Sequence, residues 1–208
     1  MTDIPGVILA GGRSSRMGGG DKCLLELGGM PILDRVLVRL RTQAWPIAIN
    51  ANGNVDRFAA YGLPVLSDSI EGFAGPLAGV LAGMDWAHGI GADRIVTVAA
   101  DTPFFPEDLA TRLSAGARES GSPLAMAVTC PAEPGRAVRH PTFGIWSVAL
   151  RDDLRRSIQA GVRKVVEWTM PHGCKRVEFP VGESDPFFNV NTPDDMATAE
   201  LLLQGQEA

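Results

Sequence analysis

Arg13, Arg16 and Lys22 crowd into one glycine-rich stretch, residues 9–22, Leu-Ala-Gly-Gly-Arg-Ser-Ser-Arg-Met-Gly-Gly-Gly-Asp-Lys. It follows an apolar strand candidate, Val7-Ile8-Leu9-Ala10. Glycines let a backbone turn through φ > 0 and approach a ligand closely, so that N–H groups point at anionic oxygens. Guanidinium groups suit phosphate recognition. A neutral structural turn has no use for three cations, so Leu9, Ala10, Gly11, Gly12, Arg13, Arg16 and Lys22 read as a site for a nucleoside triphosphate. A plain flexible surface loop is also glycine-rich. Position favours the site, because open α/β sheets bind ligands outside the carboxyl ends of their strands. The two familiar phosphate loops fit badly. Arg13 stands where the second glycine of G-x-G-x-x-G belongs, and Asp21-Lys22-Cys23 breaks the Walker pattern.

Further along the chain, Val98-Ala99-Ala100-Asp101-Thr102-Pro103 sets a lone carboxylate at the end of an apolar strand. A charge taken from water needs a partner, and Mg²⁺ is held by one or two carboxylates plus phosphate oxygens. Asp101 is therefore the candidate metal ligand, with a helix N-cap as the structural alternative. Asp68 also follows a strand candidate, and a carboxylate can accept two hydrogen bonds from a guanine edge. Gly75 and Gly79 leave room for a base or ribose near the strand ends, whereas Gly83 suits close helix packing. Asn50 ends another strand candidate, although asparagine is common at such junctions for turn reasons alone. Asn189 and Asn191, two apart, face one side if extended. Thr192, Pro193 and Asp195 after them form a helix-capping pattern.

The elements that must position these residues alternate. Strand candidates at 5–10, 46–51, 64–67, 94–100, 124–130, 143–148 and 175–179 are interleaved with helix candidates at 31–43, 54–61, 76–88, 106–118, 149–160, 163–170 and 193–204. Helix 31–43 is amphipathic through Ile32, Leu33, Val36, Leu37 and Leu40. Strand 94–100 is apolar on both faces, as a covered sheet requires. The pattern predicts a three-layer α/β/α fold with a mostly parallel sheet, in one domain spanning 1–208. Residues 131–142 read as a long polar connection, of the kind that serves function, within an acceptor-binding lobe. A net charge of −5 counts against a nucleic-acid partner. No apolar run long enough to span a membrane and no signal-peptide layout occur, which makes the cytoplasm the expected location. Cys23, Cys130 and Cys174 suggest neither disulfides nor zinc. Cys23 reads as a buried small side chain rather than an activated thiol.

L-A-G-G-x-S-x-R-M-G-x(2)-D-K resembles the signature of nucleotidyltransferases that join a nucleoside monophosphate to a phosphate-bearing acceptor. Its Ala-Gly-Gly version is similar to that of the molybdenum cofactor guanylyltransferases, the molybdopterin-guanine dinucleotide biosynthesis protein A family. Ordered motifs carry the likeness from residue 7 to about 204. The resemblance implies a Rossmann-like nucleotidyltransferase fold and transfer of GMP from GTP to the terminal phosphate of Mo-molybdopterin. It implies Mg²⁺ on Asp101, and catalytic roles for Lys22, Arg16 and Asp101. Asn50 and Asp68 become nucleotide contacts, and Asn189 and Asn191 lie near the metal and acceptor phosphate. Arg139, His140, Arg163 and Lys164 are assigned to the pterin acceptor. For His140 a loop hydrogen bond is the plainer alternative, and for Arg163-Lys164 a solvated helix start. Molybdenum cofactor biosynthesis proteins and acceptor molybdoenzymes are the protein partners implied. A cytidylyltransferase or sugar-phosphate nucleotidyltransferase on the same scaffold is the alternative enzyme. A non-catalytic GTP-binding delivery module is the alternative of another class.

Overall fold

Seven short apolar runs pair into one sheet. In the computed structural model, which describes residues 4–11, 21–70, 72, 75–130, 137–182 and 184–206, the strands are β1 (Gly6–Leu9), β2 (Glu26–Leu27), β3 (Met30–Pro31), β4 (Ile47–Asn50), β5 (Val65–Leu66), β6 (Arg94–Ala99), β7 (Leu124–Cys130), β8 (Val138–Ser147) and β9 (Lys175–Pro180). Strands β2 and β3 form a separate hairpin, and the rest run in the order β5-β4-β1-β6-β8-β7-β9. Only β8 runs against its neighbours. The order turns back on itself at β1: the chain moves from β1 outward to β4 and β5, then returns to β6 on the other side. A crevice forms at such a switch point, outside the carboxyl ends of the strands.

Helices α1 (Ile32–Arg41), α2 (Pro76–Gly89), α3 (Leu109–Ser120), α4 (Arg151–Gln159), α5 (Val165–Thr169) and α6 (Pro193–Gln206) complete the fold. One face of the sheet buries Ile8, Ile49, Val98 and Ile145 against α1 and α3. The other buries Val7, Ile95 and Trp146 against α2, α4 and α5. The three-layer α/β/α expectation is met. Residue Gly83 lets α2 lie close to the sheet, since a Cβ there would come within 2.8 Å of Val7 and 3.0 Å of Ile95. Helix α6 packs on the β2–β3 hairpin through a small cluster that includes Leu27, Phe104, Val190 and Ala199.

Three expectations need correction. The segment 54–61 is a 3-10 helix, Val55–Tyr61, rather than an α-helix; it is capped by Asn54 and stopped by Gly62 at φ 62°. Its sequence supplies one buried residue, Phe58, which is too little apolar face to hold an α-helix on the core. The connection read at 131–142 becomes strand from Val138 onward; of the rest, only 137 lies within the described residues. Pro141 disguised that strand, and a register shift opposite Met126 and Ala127 accommodates it. Finally, the β2–β3 hairpin turns on Gly28 and Gly29, both at positive φ, and was not anticipated.

Candidate functional site

The crevice at the switch point holds a cleft of about 540 Å³. Leu9 and Gly11 reach it from the end of β1, Asn50 from β4, Asp68 from the loop after β5, and Gly75 from the start of α2. Asp101, Thr142, Asn189 and Asn191 also line it. Residues separated by most of the chain therefore line one cleft. Gly12, Arg13 and Arg16 lie outside the described residues.

Asp68 is tied at both oxygens. Asn50 Nδ2 donates to Oδ1 at 3.0 Å and Asn52 Nδ2 donates to Oδ2 at 2.8 Å. The Asp68 N–H returns a bond to Asn52 Oδ1 at 2.9 Å. Asn52 was missed in the sequence, although its spacing of two from Asn50 was a usable signal. Each carboxylate oxygen keeps a further lone pair for a ligand. Gly75 adopts φ 150°, a conformation that side-chain-bearing residues rarely take, and it precedes Pro76 at the first turn of α2. Gly79 is not among the cleft-lining residues. Its missing Cβ instead makes room for the Asn50 amide and for Leu9, whose Cδ2 would lie 2.9 Å away.

The Val190 N–H donates to the Asp101 carbonyl at 2.8 Å and fixes the Asn189–Asn191 segment next to the end of β6. Thr102 donates its hydroxyl to Asn189, and Lys22 Nζ donates to Asn191 Oδ1 at 2.8 Å. Burial pushes the Asp101 carboxyl above its ordinary value, while the Lys22 charge and the Thr102 hydroxyl pull it back. Among the described residues Lys22 is the cation whose charge acts on it, and that lysine donates a hydrogen bond to Asn191. No group of three His, Cys, Asp or Glu capable of holding a metal occurs among the described residues. A hard divalent ion that takes one protein carboxylate and draws its other ligands from phosphate and water fits this donor set.

The cap of α6 is reciprocal, as its sequence predicted. The Asp195 N–H donates to Thr192 Oγ1, and Asp195 Oδ2 accepts from the N–H groups of Asn191 and Thr192 at 2.9 and 2.8 Å. That cap also holds Asn191 in place. The other acceptor-side residues are more dispersed. His140 lies outside the cleft lining; it bonds Thr129 at 2.9 Å and stacks on Phe187 at 4.2 Å, two residues before Asn189. Burial lowers its pKa, which favours a neutral ring. Arg139 opens onto a second cavity of about 310 Å³ with Val166, Thr169 and Arg176. Arg163 and Lys164 are exposed at the start of α5, and the Arg163 carbonyl comes close to Gly75 on the cleft rim. The Cys23 thiol is buried and pushed up to about 12, so it is no nucleophile near pH 7.

Comparison with known proteins accords with this arrangement. The family model described as the MobA-like NTP transferase domain matches residues 6–174. A molybdenum cofactor guanylyltransferase of Mesorhizobium japonicum is 49% identical over 207 residues, covering 97% of each chain. One from a Bradyrhizobium species is 47% identical over 204 residues, covering 97% of this chain and 93% of its own. Among solved structures, molybdopterin-guanine dinucleotide biosynthesis protein A from Archaeoglobus fulgidus superposes with a TM-score of 0.74 at 21% identity, covering 97% of this chain and 100% of its own. A 4-diphosphocytidyl-2C-methyl-D-erythritol synthase from Anaerococcus prevotii gives 0.75 at 15% identity, covering 97% and 96%. The last two speak to the fold alone.

Proposed function

Since this chain belongs to the MobA-like NTP transferase family, as a nucleotidyltransferase of the molybdenum cofactor guanylyltransferase kind, we propose that its cleft transfers GMP from GTP to the terminal phosphate of Mo-molybdopterin. The products are molybdopterin guanine dinucleotide and pyrophosphate. The observation that carries this reading is the Lys22–Asn191 bond, which ties the lysine to a residue lining the same cleft as Asp68 and Asp101. A nucleotide with its base or ribose at Asp68 and Asn50 extends its phosphates toward Lys22.

The acceptor phosphate is a dianion over much of the neutral range, with a second pKa near ~6. It needs no strong general base, and the obstacle is repulsion between two anions. An acceptor oxygen forms a bond to the α-phosphorus while the bond to the β-phosphate oxygen breaks, and the electron pair leaves with pyrophosphate. Lys22 neutralises phosphate charge and, through Asn191, is held facing the acceptor side. Arg13 and Arg16 belong to the same loop and are assigned to the leaving pyrophosphate. Asp101 would hold Mg²⁺, which when bound supplies charge neutralisation across phosphate oxygens. Asn189 and Asn191 orient the incoming phosphate for in-line attack. His140 serves through Phe187, while Arg139, Arg163 and Lys164 take the pterin end. The second cavity is the place proposed for that end where Arg139 is concerned.

Both halves act as one nucleotidyltransferase unit, and the cytoplasm is the proposed location. No helix among the described residues is long and apolar enough to cross a membrane. Molybdenum cofactor biosynthesis proteins and acceptor molybdoenzymes are its proposed protein partners. Thermal shift with GTP, CTP, UTP and NAD, each with Mg²⁺, tests the substrate. GTP should raise Tm most, because a ligand stabilises by RT ln(1 + [L]/Kd). A larger shift with CTP or UTP would assign the scaffold to the alternative enzymes, and one with NAD would contradict nucleotidyl transfer.

A further inference from the structure

Arg57 occupies a place that neither the motifs nor the proposed chemistry uses. It belongs to the 3-10 segment Val55–Tyr61, and its guanidinium lies over the Phe58 ring at 4.6 Å. On one side its Nε forms an ion pair with Asp21, the residue before Lys22. That contact is one of charge, since Nε has no aligned hydrogen bond. On the other side Nη2 donates to the Asn52 carbonyl at 3.0 Å and Nη1 donates to the Asn54 carbonyl. The Asn52 side chain in turn exchanges bonds with Asp68 at 2.8 and 2.9 Å. A continuous path therefore runs from Asp68 through Asn52 and Arg57 to Asp21 and Lys22, and on to Asn191. Side-chain exposures of 21% for Arg57 and 27% for Asp21 keep the pair largely out of bulk solvent, where screening is weaker.

We infer that Arg57 is a positioning residue that couples recognition of the nucleoside at Asp68 to the placement of Lys22 on the phosphates. A planar fork holds an acidic partner and two carbonyls in fixed directions, whereas an ammonium is a compact point charge with three rotatable donors. Engagement of Asp68 by a nucleoside fixes Asn52. Through Arg57 it thereby limits how Asp21, and with it Lys22, can move. Without the guanidinium, the two ends of the nucleotide bind independently. Loss of Arg57 therefore damages catalysis more than ground-state binding.

This inference rests on the nucleotide reading of the cleft, and its test separates the two. Mg-GTP affinity, KM and kcat are measured for Arg57→Met, Arg57→Lys, Lys22→Ala and Asp68→Asn, with circular dichroism as the folding control. Lys22→Ala and Asp68→Asn should each impair GTP use; if neither does, the nucleotide reading fails. Given that they do, Arg57→Met should lower kcat at least tenfold with KM changed less than threefold, and Arg57→Lys should recover only part of kcat. A purely structural role would move KM, kcat and Tm together and be rescued by lysine, which overturns the inference. If the Arg57 variants do not fold, the Asp21→Asn and Asn52→Ala cycle decides with Arg57 intact. Non-additivity of threefold or more in kcat/KM supports the coupling, and additivity within twofold contradicts it.

Discussion

At Asp101 burial and a neighbouring cation pull in opposite directions, and burial is the larger influence. The protonated form is thus favoured relative to an ordinary carboxyl, while a metal needs the ionised one. On the proposed metal role, a proton competes with Mg²⁺ for Asp101 as pH falls through the raised value. Apparent Mg²⁺ affinity should therefore weaken at a higher pH than an unperturbed carboxylate near ~3.9 would predict. Added Mg²⁺ should shift the acid limb of the pH–rate profile downward, and an acid limb indifferent to Mg²⁺ would contradict the metal role. Stability carries the opposite sign. A raised folded pKa means that the ionised group opposes folding at neutral pH, and that this cost disappears as pH falls below the unfolded value. Asp101→Asn should melt no lower than the unsubstituted protein at pH 7 while losing most transfer activity. A lower Tm with activity retained would mark Asp101 as structural.

At the level of elements, α2 lies close to β1 and β4 because Gly79, like Gly83, lacks a side chain. Gly79→Ala gains helix propensity of about 1 kcal/mol. It also forces a methyl against Leu9 and against an Asn50 amide that is already tied to Leu66 and Asp68. Overpacking of that kind costs about 1–3 kcal/mol. A net loss of Tm with weaker GTP binding is expected, measured by thermal melts and titration; unchanged binding would mean Asn50 does not serve the nucleotide. The larger elements were legible because a period-3.6 apolar face survives in α1 and a continuous apolar run in β6. Two departures have physical reasons. Strand β8 runs through Pro141, which removes a ladder donor and is accommodated by a bulge. The β2–β3 hairpin has two residues per strand, too few to show a period, and only Gly28-Gly29 announced the turn.

Across the whole molecule, the strand order places the carboxyl ends of β1, β4 and β6 around one crevice. Helix α6 then brings the end of the chain back to its beginning. Glu200 accepts the Gly28 N–H at 2.9 Å, and Lys22 meets Asn191 across 169 residues. Local sequence singled out Lys22, Asp101 and Asn191 separately: a cation in a glycine-rich stretch, a carboxylate after an apolar strand, and an amide ahead of a helix-capping pattern. It could not reveal that Lys22 and Asn191 touch, or that Asn52 and Arg57 link Asp68 to the lysine. Those contacts depend on crossings between distant elements. Alternation along β8 explains why His140, adjacent in sequence to Arg139, packs on Phe187 while Arg139 faces another cavity.

The most direct test follows the phosphorus. Purified protein is given Mo-molybdopterin, Mg²⁺ and GTP labelled at either the α- or the γ-phosphate. Label from the α-position should appear in a molybdopterin guanine dinucleotide, with one pyrophosphate released per product, and γ-label should leave entirely as pyrophosphate. Lys22→Ala should abolish both. GTP bound without consumption, or γ-label transferred to the acceptor, would contradict nucleotidyl transfer in this cleft.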